Sequence, residues 1–246
     1  MTGRLAGKVA LVVGAGGAMG TSVPFLFARE GANVVVGARR LAPLEELAAR
    51  IRAHLPEGGG AVACATGDGL SCEGCAALVQ ATVERFGKLD VLYSNLGEAV
   101  RGARDLEETP EGTWRYIVDI NLTSHVTLLR AALPELRRTH GNAILVAAAH
   151  SVRHGGSAGY AAAKSGLQAF VVLQAGRLRD DGIRLNCLGP GSIGDSRDEE
   201  DFTEPPRDLG ARPHPADVGY AAVYLASDEA AGVTGQYLDL DRGASL

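Results

Sequence analysis

Hydrophobic and polar positions along this chain alternate between short apolar, β-branched runs of strand type and longer stretches of helical pattern. Lys8–Val13 is a short β-branched run, followed by a glycine-rich turn and a helical pattern lasting to about Glu30. Asn33–Ala38 is the next strand and Leu41–Leu55 the helix after it. Pro56 to Gly60 makes a turn before a third strand at Ala61–Thr66. Leu70–Phe86 reads as helix and Leu89–Ser94 as a fourth strand. Gly112–Thr139 carries a long helical pattern that Pro134 is expected to end or kink, because proline removes a ladder hydrogen bond. Ala143–Ala149 is strand five, Ala158–Arg179 a helix, and Ile183–Leu188 strand six. A helix around Ala216–Ser227 precedes a last strand at Tyr237–Leu240.

Strands alternating with helices of this length form βαβ units. The fold class is therefore α/β, doubly wound, with a mostly parallel seven-stranded sheet and helices on both faces. No linker, low-complexity tract or internal repeat interrupts residues 1–246, which read as a single domain. The one shift in composition is Asp195–Asp208, acidic and proline-containing, which reads as a mobile surface loop.

Composition narrows the partners. The chain has 246 residues, is 46% hydrophobic and carries a net charge of −5, with both signs mixed along most of its length. That balance argues against nucleic acid or an anionic membrane surface as the main partner. No apolar run approaches the roughly 20 residues of a spanning helix. Met1 to Lys8 lacks the apolar core of a signal peptide, which points to the cytoplasm and reduced thiols. Cys72 and Cys75 form a C-x-x-C without the second pair that a structural zinc site needs, so no metal is expected.

Two stretches carry candidate chemistry. Tyr160 and Lys164 are four residues apart in a helical run, so they share one face, one turn apart. A cation held near a phenol favours the phenolate, so Lys164 is expected to lower the Tyr160 pKa and make it a proton donor and acceptor near neutrality. The second stretch, Val13 to Gly20, closes strand one and opens a helix. Glycines there let the backbone approach a pyrophosphate, which a helix N-terminus stabilises. The dinucleotide fingerprint G-x-G-x-x-G fails at Met19, but G-x-x-x-[A/G]-x-G is met by Gly14, Ala18 and Gly20.

In order along the chain, these and further motifs resemble the short-chain dehydrogenase/reductase family over nearly the whole length. The glycine turn is similar to the family's T-G-x-x-x-[A/G]-x-G, with Val13 in place of Thr. Gly67-Asp68 resembles the D-V pair that contacts adenine, and Ser94-Asn95-Leu96-Gly97 the N-N-A-G segment. Asp119 to Leu122 resembles the helix motif whose Asn, here Asn121, supports a proton relay. Tyr160 and Lys164 match Y-x-x-x-K, and Asn186 with Pro190-Gly191 match N-x-x-x-P-G. Leu225 to Asp228, Thr234-Gly235 and Asp241 to Gly243 are similar to the C-terminal pattern.

The resemblance implies a Rossmann-type nucleotide-binding and catalytic domain, with a substrate loop at about 192–212, that transfers hydride between a nicotinamide cofactor and a carbonyl or secondary alcohol. Tyr160, Lys164 and Asn121 would be catalytic. The cofactor would meet Gly14, Gly16, Ala18, Met19, Gly20, Arg39, Arg40, Asp68, Gly69, Asn95, Gly97, Tyr160, Lys164, Pro190, Gly191 and Ile193. It also implies a homotetramer or homodimer packed through the helices that start near Gly112 and Ala158. NADP(H) is the expected cofactor: strand two ends at Ala38 rather than at an acid, so nothing there repels a 2′-phosphate. Arg39 beside it supplies a bidentate cation.

One motif is broken. The family's catalytic Ser stands thirteen residues before the Tyr, which is Ala147 here; aligning the apolar run instead gives Ala148 or Ala149. Ser151, beside His150, is the expected substitute donor. Asp195 stands where a Thr commonly holds the nicotinamide amide. These departures leave a second reading open, a nucleotide-binding homologue whose redox chemistry is lost or repurposed. Gly97–Arg101, His150–Gly156 and Ser192–Arg212 would shape the substrate pocket. Its residues His150, Arg153 and His154 would suit an anionic or polyphenolic substrate, or would be plain surface residues.

Overall fold

Strand β1 (Val9–Val13) is buried along its whole length, as its unbroken apolar run requires of a central parallel strand. The computed structural model describes residues 3–15, 20–100, 106–193 and 202–245. Around β1 stand β2 (Asn33–Ala38), β3 (Val62–Thr66), β4 (Val91–Ser94), β5 (Asn142–Val146), β6 (Arg184–Pro190) and β7 (Tyr237–Leu240). The sheet order is β3-β2-β1-β4-β5-β6-β7, and every pairing is parallel. Alternate residues feed two cores. Ala10, Val12, Val34, Val36, Tyr93 and Ile144 face α1 (Ser22–Arg29), α2 (Leu41–His54) and α8 (Pro215–Ala226). Leu11, Val13, Val35, Leu92 and Leu145 face α3 (Cys72–Phe86), α5 (Ser124–Thr139) and α7 (Ala158–Leu178). Because the strands are apolar on both faces, helices cover both, as the continuous apolar runs imply.

From β1 the chain builds outward through β2 and β3, then crosses back to lay β4 on the other side of β1. The two βα loops diverge there and leave a crevice beyond the carboxyl ends of β1 and β4.

Two of the differences from the sequence reading bear on the site. The long pattern ending at Thr139 is not broken at Pro134, which lies within α5. Pro134 and Arg130 are both exposed, so water can satisfy the Arg130 carbonyl that loses its partner. The interruption comes earlier: α4 (Glu111–Val118) passes into a π-helical turn at Asp119–Thr123 before α5 begins. Strand β5 ends at Val146 rather than Ala149, and a short helix α6 (His150–Arg153) follows. Ala147 and Ala149 still donate to the Leu188 and Pro190 carbonyls, so the tri-alanine segment stays fastened to β6. Among the described residues no helix is long and apolar enough to cross a membrane.

Tyr93 is fully buried, and its hydroxyl has no hydrogen-bond partner among the described residues. A buried donor left unmade costs on the order of 1 kcal/mol or more. Tyr93→Phe is therefore expected to raise unfolding stability by about 1 kcal/mol in denaturant titration. A loss of stability would show that the hydroxyl is bonded in solution.

Candidate active site

The crevice at the β1–β4 switch is a cleft of about 630 Å³. Gly14, at the end of β1, has φ +87°, and a Cβ there would lie 2.3 Å from the Asn95 carbonyl oxygen. Only glycine allows this approach. Asn95 ties the two loops together: its N–H donates to Val13 O at 2.8 Å and its side-chain Nδ2 to Gly14 O at 3.3 Å. Of the expected cofactor residues, Gly14, Arg39, Arg40, Asp68, Gly69, Asn95, Gly97, Tyr160 and Lys164 line the cleft. Gly16, Ala18 and Met19 lie outside the described residues. Gly20 packs against Ala15 O and is not part of the lining. Pro190, Gly191 and Ile193 are not part of it either; the Gly191 N–H is engaged by Leu240 O, which holds that end of β6 to β7.

At one end of the cleft, Arg39 and Arg40 follow Ala38 and are both exposed at the lip. Asp68 caps its own loop, accepting the Leu70 N–H at 3.1 Å. Tyr116 from α4 donates to Glu98 at 2.7 Å, and both line the cleft between the two ends.

At the other end, Asn121 lies in the π turn, where it is fully buried. Its Oδ1 accepts the Glu98 N–H at 3.1 Å, and its Nδ2 donates to Glu98 O at 2.9 Å and Ile117 O at 3.0 Å. The side chain thus pins the loop after β4 to the helix, and π turns of this kind are frequent at functional sites. A Cβ on Gly97 would lie 2.8 Å from Asn121 Oδ1 and 2.9 Å from Lys164 Nζ, so glycine keeps this corner open.

Lys164 is buried and donates to Leu96 O at 3.2 Å and Val146 O at 2.9 Å, leaving one of its three donors for the cleft. Burial disfavours the ammonium and lowers its pKa to about 8. Its Nζ is 5.9 Å from the Tyr160 ring centroid. Tyr160 corrects an expectation. Burial pushes its phenol above the ordinary value rather than below it, and the cation opposing that rise is Arg153, not Lys164.

Ala147 is the alanine that lines the cleft; Ala148 and Ala149 are buried away from it. Ser151 does not take the missing place. It sits in α6, where its N–H donates to Ser245 Oγ at 2.8 Å and its hydroxyl turns to Asp241, because the short helix rotates it toward the C-terminal segment. Asp195 lies outside the described residues, as do 194–201 of the expected substrate loop.

Arg153 is not available to an anionic substrate. It is buried, with its guanidinium given to Ala148 O, Gln168 Oε1 and Tyr237 OH. His150 is paired with Asp239 at 2.5 Å, and His154 is exposed.

Sequence reading missed His125. It is fully buried, four residues after Asn121 on the same helical face, and bonds Ser94 Oγ at 2.8 Å and Leu96 O at 2.7 Å. The available signals were that spacing and the replacement of the motif's first Asn by Ser94.

A family model described as enoyl-(acyl carrier protein) reductase matches residues 14–245. The trans-4-hydroxycyclohexanecarboxylate dehydrogenase of Sinomonas cyclohexanicum is 35% identical, covering 98% of this chain and 93% of the relative. The 3β-hydroxysteroid dehydrogenase 1 of Eggerthella lenta is 32% identical, covering 98% and 95%. A Burkholderia xenovorans structure described as a short-chain dehydrogenase/reductase superposes with a TM-score of 0.84 at 30% identity, covering 99% of this chain and 98% of that one.

Proposed function

The chain belongs to the short-chain dehydrogenase/reductase family, and on that premise we propose that it interconverts a secondary alcohol on a ring and the matching ketone, using NADP(H). The observation that carries this reading is one continuous cleft with Arg39 and Arg40 at one end and Asn121, Tyr160 and Lys164 at the other. The residues fit a nicotinamide dinucleotide. Gly14 and Gly97 leave open the two places that a Cβ would fill, and no carboxylate ends β2. The ring alcohol is supported by the two relatives, one named for a hydroxycyclohexanecarboxylate and the other for a hydroxysteroid. Residues 1–246 act in this reading as one catalytic domain. Its packing with further copies through α7 is supported by the exposed Val172 and Leu173 on that helix, 56% and 58% accessible.

A nicotinamide dinucleotide held along the cleft by Gly14, Arg39, Asn95 and Lys164 would supply hydride exchange with the carbinol or carbonyl carbon. Tyr160 gives its proton to the carbonyl oxygen in reduction and takes one from the hydroxyl in oxidation. Lys164 would present its remaining N–H to the nicotinamide ribose, while the cation that opposes the rise of the Tyr160 phenol is Arg153. Asn121, clamped to the Glu98 main chain, holds the loop against which both groups are set.

Arg39 supplies the choice between the two nicotinamide dinucleotides. Arg39→Ala is expected to weaken NADPH binding by about 10- to 100-fold, the range of a charge-assisted pair, and to leave NADH binding nearly unchanged. Isothermal titration with both nucleotides checks this, and equal losses for the two would remove Arg39 from phosphate recognition. A panel of cyclic ketones followed at the NADPH absorbance tests the reaction. Ala147 in the cleft wall favours one competing reading, a nucleotide-binding homologue without redox turnover. Tight NADPH binding with no oxidation across the panel would favour it.

A further inference from the structure

Leu96, in the loop after β4, has one carbonyl with two buried donors. Lys164 Nζ reaches it from α7 at 3.2 Å, and His125 Nε2 reaches it from the first turn of α5 at 2.7 Å. A carbonyl oxygen only accepts, so Nε2 must carry the proton. The His125 ring is kept neutral by burial first and by the Lys164 charge second, both of which push its pKa well down. Nδ1 is then an acceptor, and the Ser94 hydroxyl donates to it at 2.8 Å. The tautomer is settled by these two bonds together. Ser94, His125 and Lys164 are all buried, so the Ser94–His125 bond is shielded from water, while the half-buried Leu96 carbonyl that receives the other two lies at the cleft wall.

We propose that His125, oriented by Ser94, is a positioning residue for Lys164: its Nε2–H occupies one lone pair of the Leu96 carbonyl, and so sets where the ammonium sits and how firmly that carbonyl holds it. The carbonyl shared with His125 is a weaker acceptor for the ammonium than one serving Lys164 alone. The positive end of the His125 N–H dipole also points to the oxygen that the Lys164 charge approaches. Both effects act with burial to ease loss of the Lys164 proton. The other groups around Lys164 are few. Tyr160 faces it from the same helix, and the Cys187 thiol faces it from β6, pushed up to about 12 and so uncharged. Arg153 from α6 and Asp239 from β7 act on Cys187 behind it. The inference rests on the proposed role of Lys164 at the reacting centre.

The chain has only three lysines, Lys8, Lys88 and Lys164, so lysine labelled with ¹³C at Cε gives three assignable NMR signals. The Lys164 signal is expected to titrate near about 8. In His125→Leu it should titrate about one unit higher, comparable to what a hydrogen bond to a charged group is worth. His125→Gln, which restores an N–H donor of similar reach, should bring it back. If His125→Leu does not fold, as judged by the Lys8 and Lys88 signals, Ser94→Ala replaces it. Without the Ser94 hydroxyl the ring is less firmly aimed, and the Lys164 titration should move in the same direction by a smaller amount. A Lys164 titration that stays put in the folded variant, moves downward, or shifts alike in His125→Leu and His125→Gln overturns the proposal, because each outcome reduces His125 to packing. The titration uses no substrate. Failure of the catalytic reading would show separately, as turnover of cyclic ketones retained in Lys164→Met.

Discussion

Tyr160→Phe is expected to lower turnover by about 10²–10⁴, the range that a positioned acid–base group contributes, while NADPH binding stays within a few-fold of the parent. The substitution removes one oxygen and keeps the ring, which stays packed in the first turn of α7 after the Ser157 cap. The side chain sits at the end of the cleft away from Arg39, so most contacts available to a dinucleotide are untouched. The pH profile of the parent gives a second check. Burial holds the proton on the phenol, and reduction needs that protonated form as donor. Oxidation needs the phenolate, so its rate should climb through the alkaline range, whereas reduction should hold level until the pH passes the raised phenol value. Initial rates in both directions from about pH 6 to about pH 10 test this around the ordinary phenol value. Turnover that survives in Tyr160→Phe, or oxidation that does not rise with pH, would take the acid–base role away from Tyr160.

Ala147→Ser is expected to raise carbonyl reduction by up to about 10², the amount commonly lost when one donor to a developing oxyanion is removed. Ala147 lines the cleft on the same wall as Lys164, whose Nζ donates to the Val146 carbonyl immediately before it. A hydroxyl there would enter the cleft without moving the main chain, which the Ala147 N–H bond to Leu188 O holds in place. Ala149→Ser is the matched control. Ala149 is fully buried, fastened to Pro190 O and absent from the lining, so the same hydroxyl should bring no gain. Steady-state kinetics of both variants on one cyclic ketone separates the cases. No gain from Ala147→Ser would mean that the reacting oxygen is already polarised, by the substrate or by another donor.

Much of this protein is legible without coordinates because the information is local. The short apolar runs at Asn33–Ala38 and Tyr237–Leu240 mark both strands at their observed limits, since such a run is defined by a few adjacent residues. The glycine at position 14 and the four-residue spacing of Tyr160 and Lys164 also depend only on near neighbours. The break in the helix before α5 was misplaced at Pro134 because proline is the visible breaker, whereas the π turn carries no such residue. The turn coincides with Asn121, whose side chain bonds the Glu98 main chain across the site.

The amino-acid order therefore determined the strand and helix pattern, the glycine approach at the cleft and the residues available for chemistry. Only the tertiary structure decided which of three consecutive alanines faces the cleft, that Ser151 turns to Asp241, that Arg153 is consumed in structural bonds, and that His125 stands behind Lys164. Periodicity is set by a few neighbouring residues. Side-chain direction and burial are set by partners far along the chain: Ser94 meets His125 across 31 positions, and His150 meets Asp239 across 89. Desolvation of Tyr160 and Lys164 belongs to the same class, because the surfaces that exclude water from them come from several elements at once.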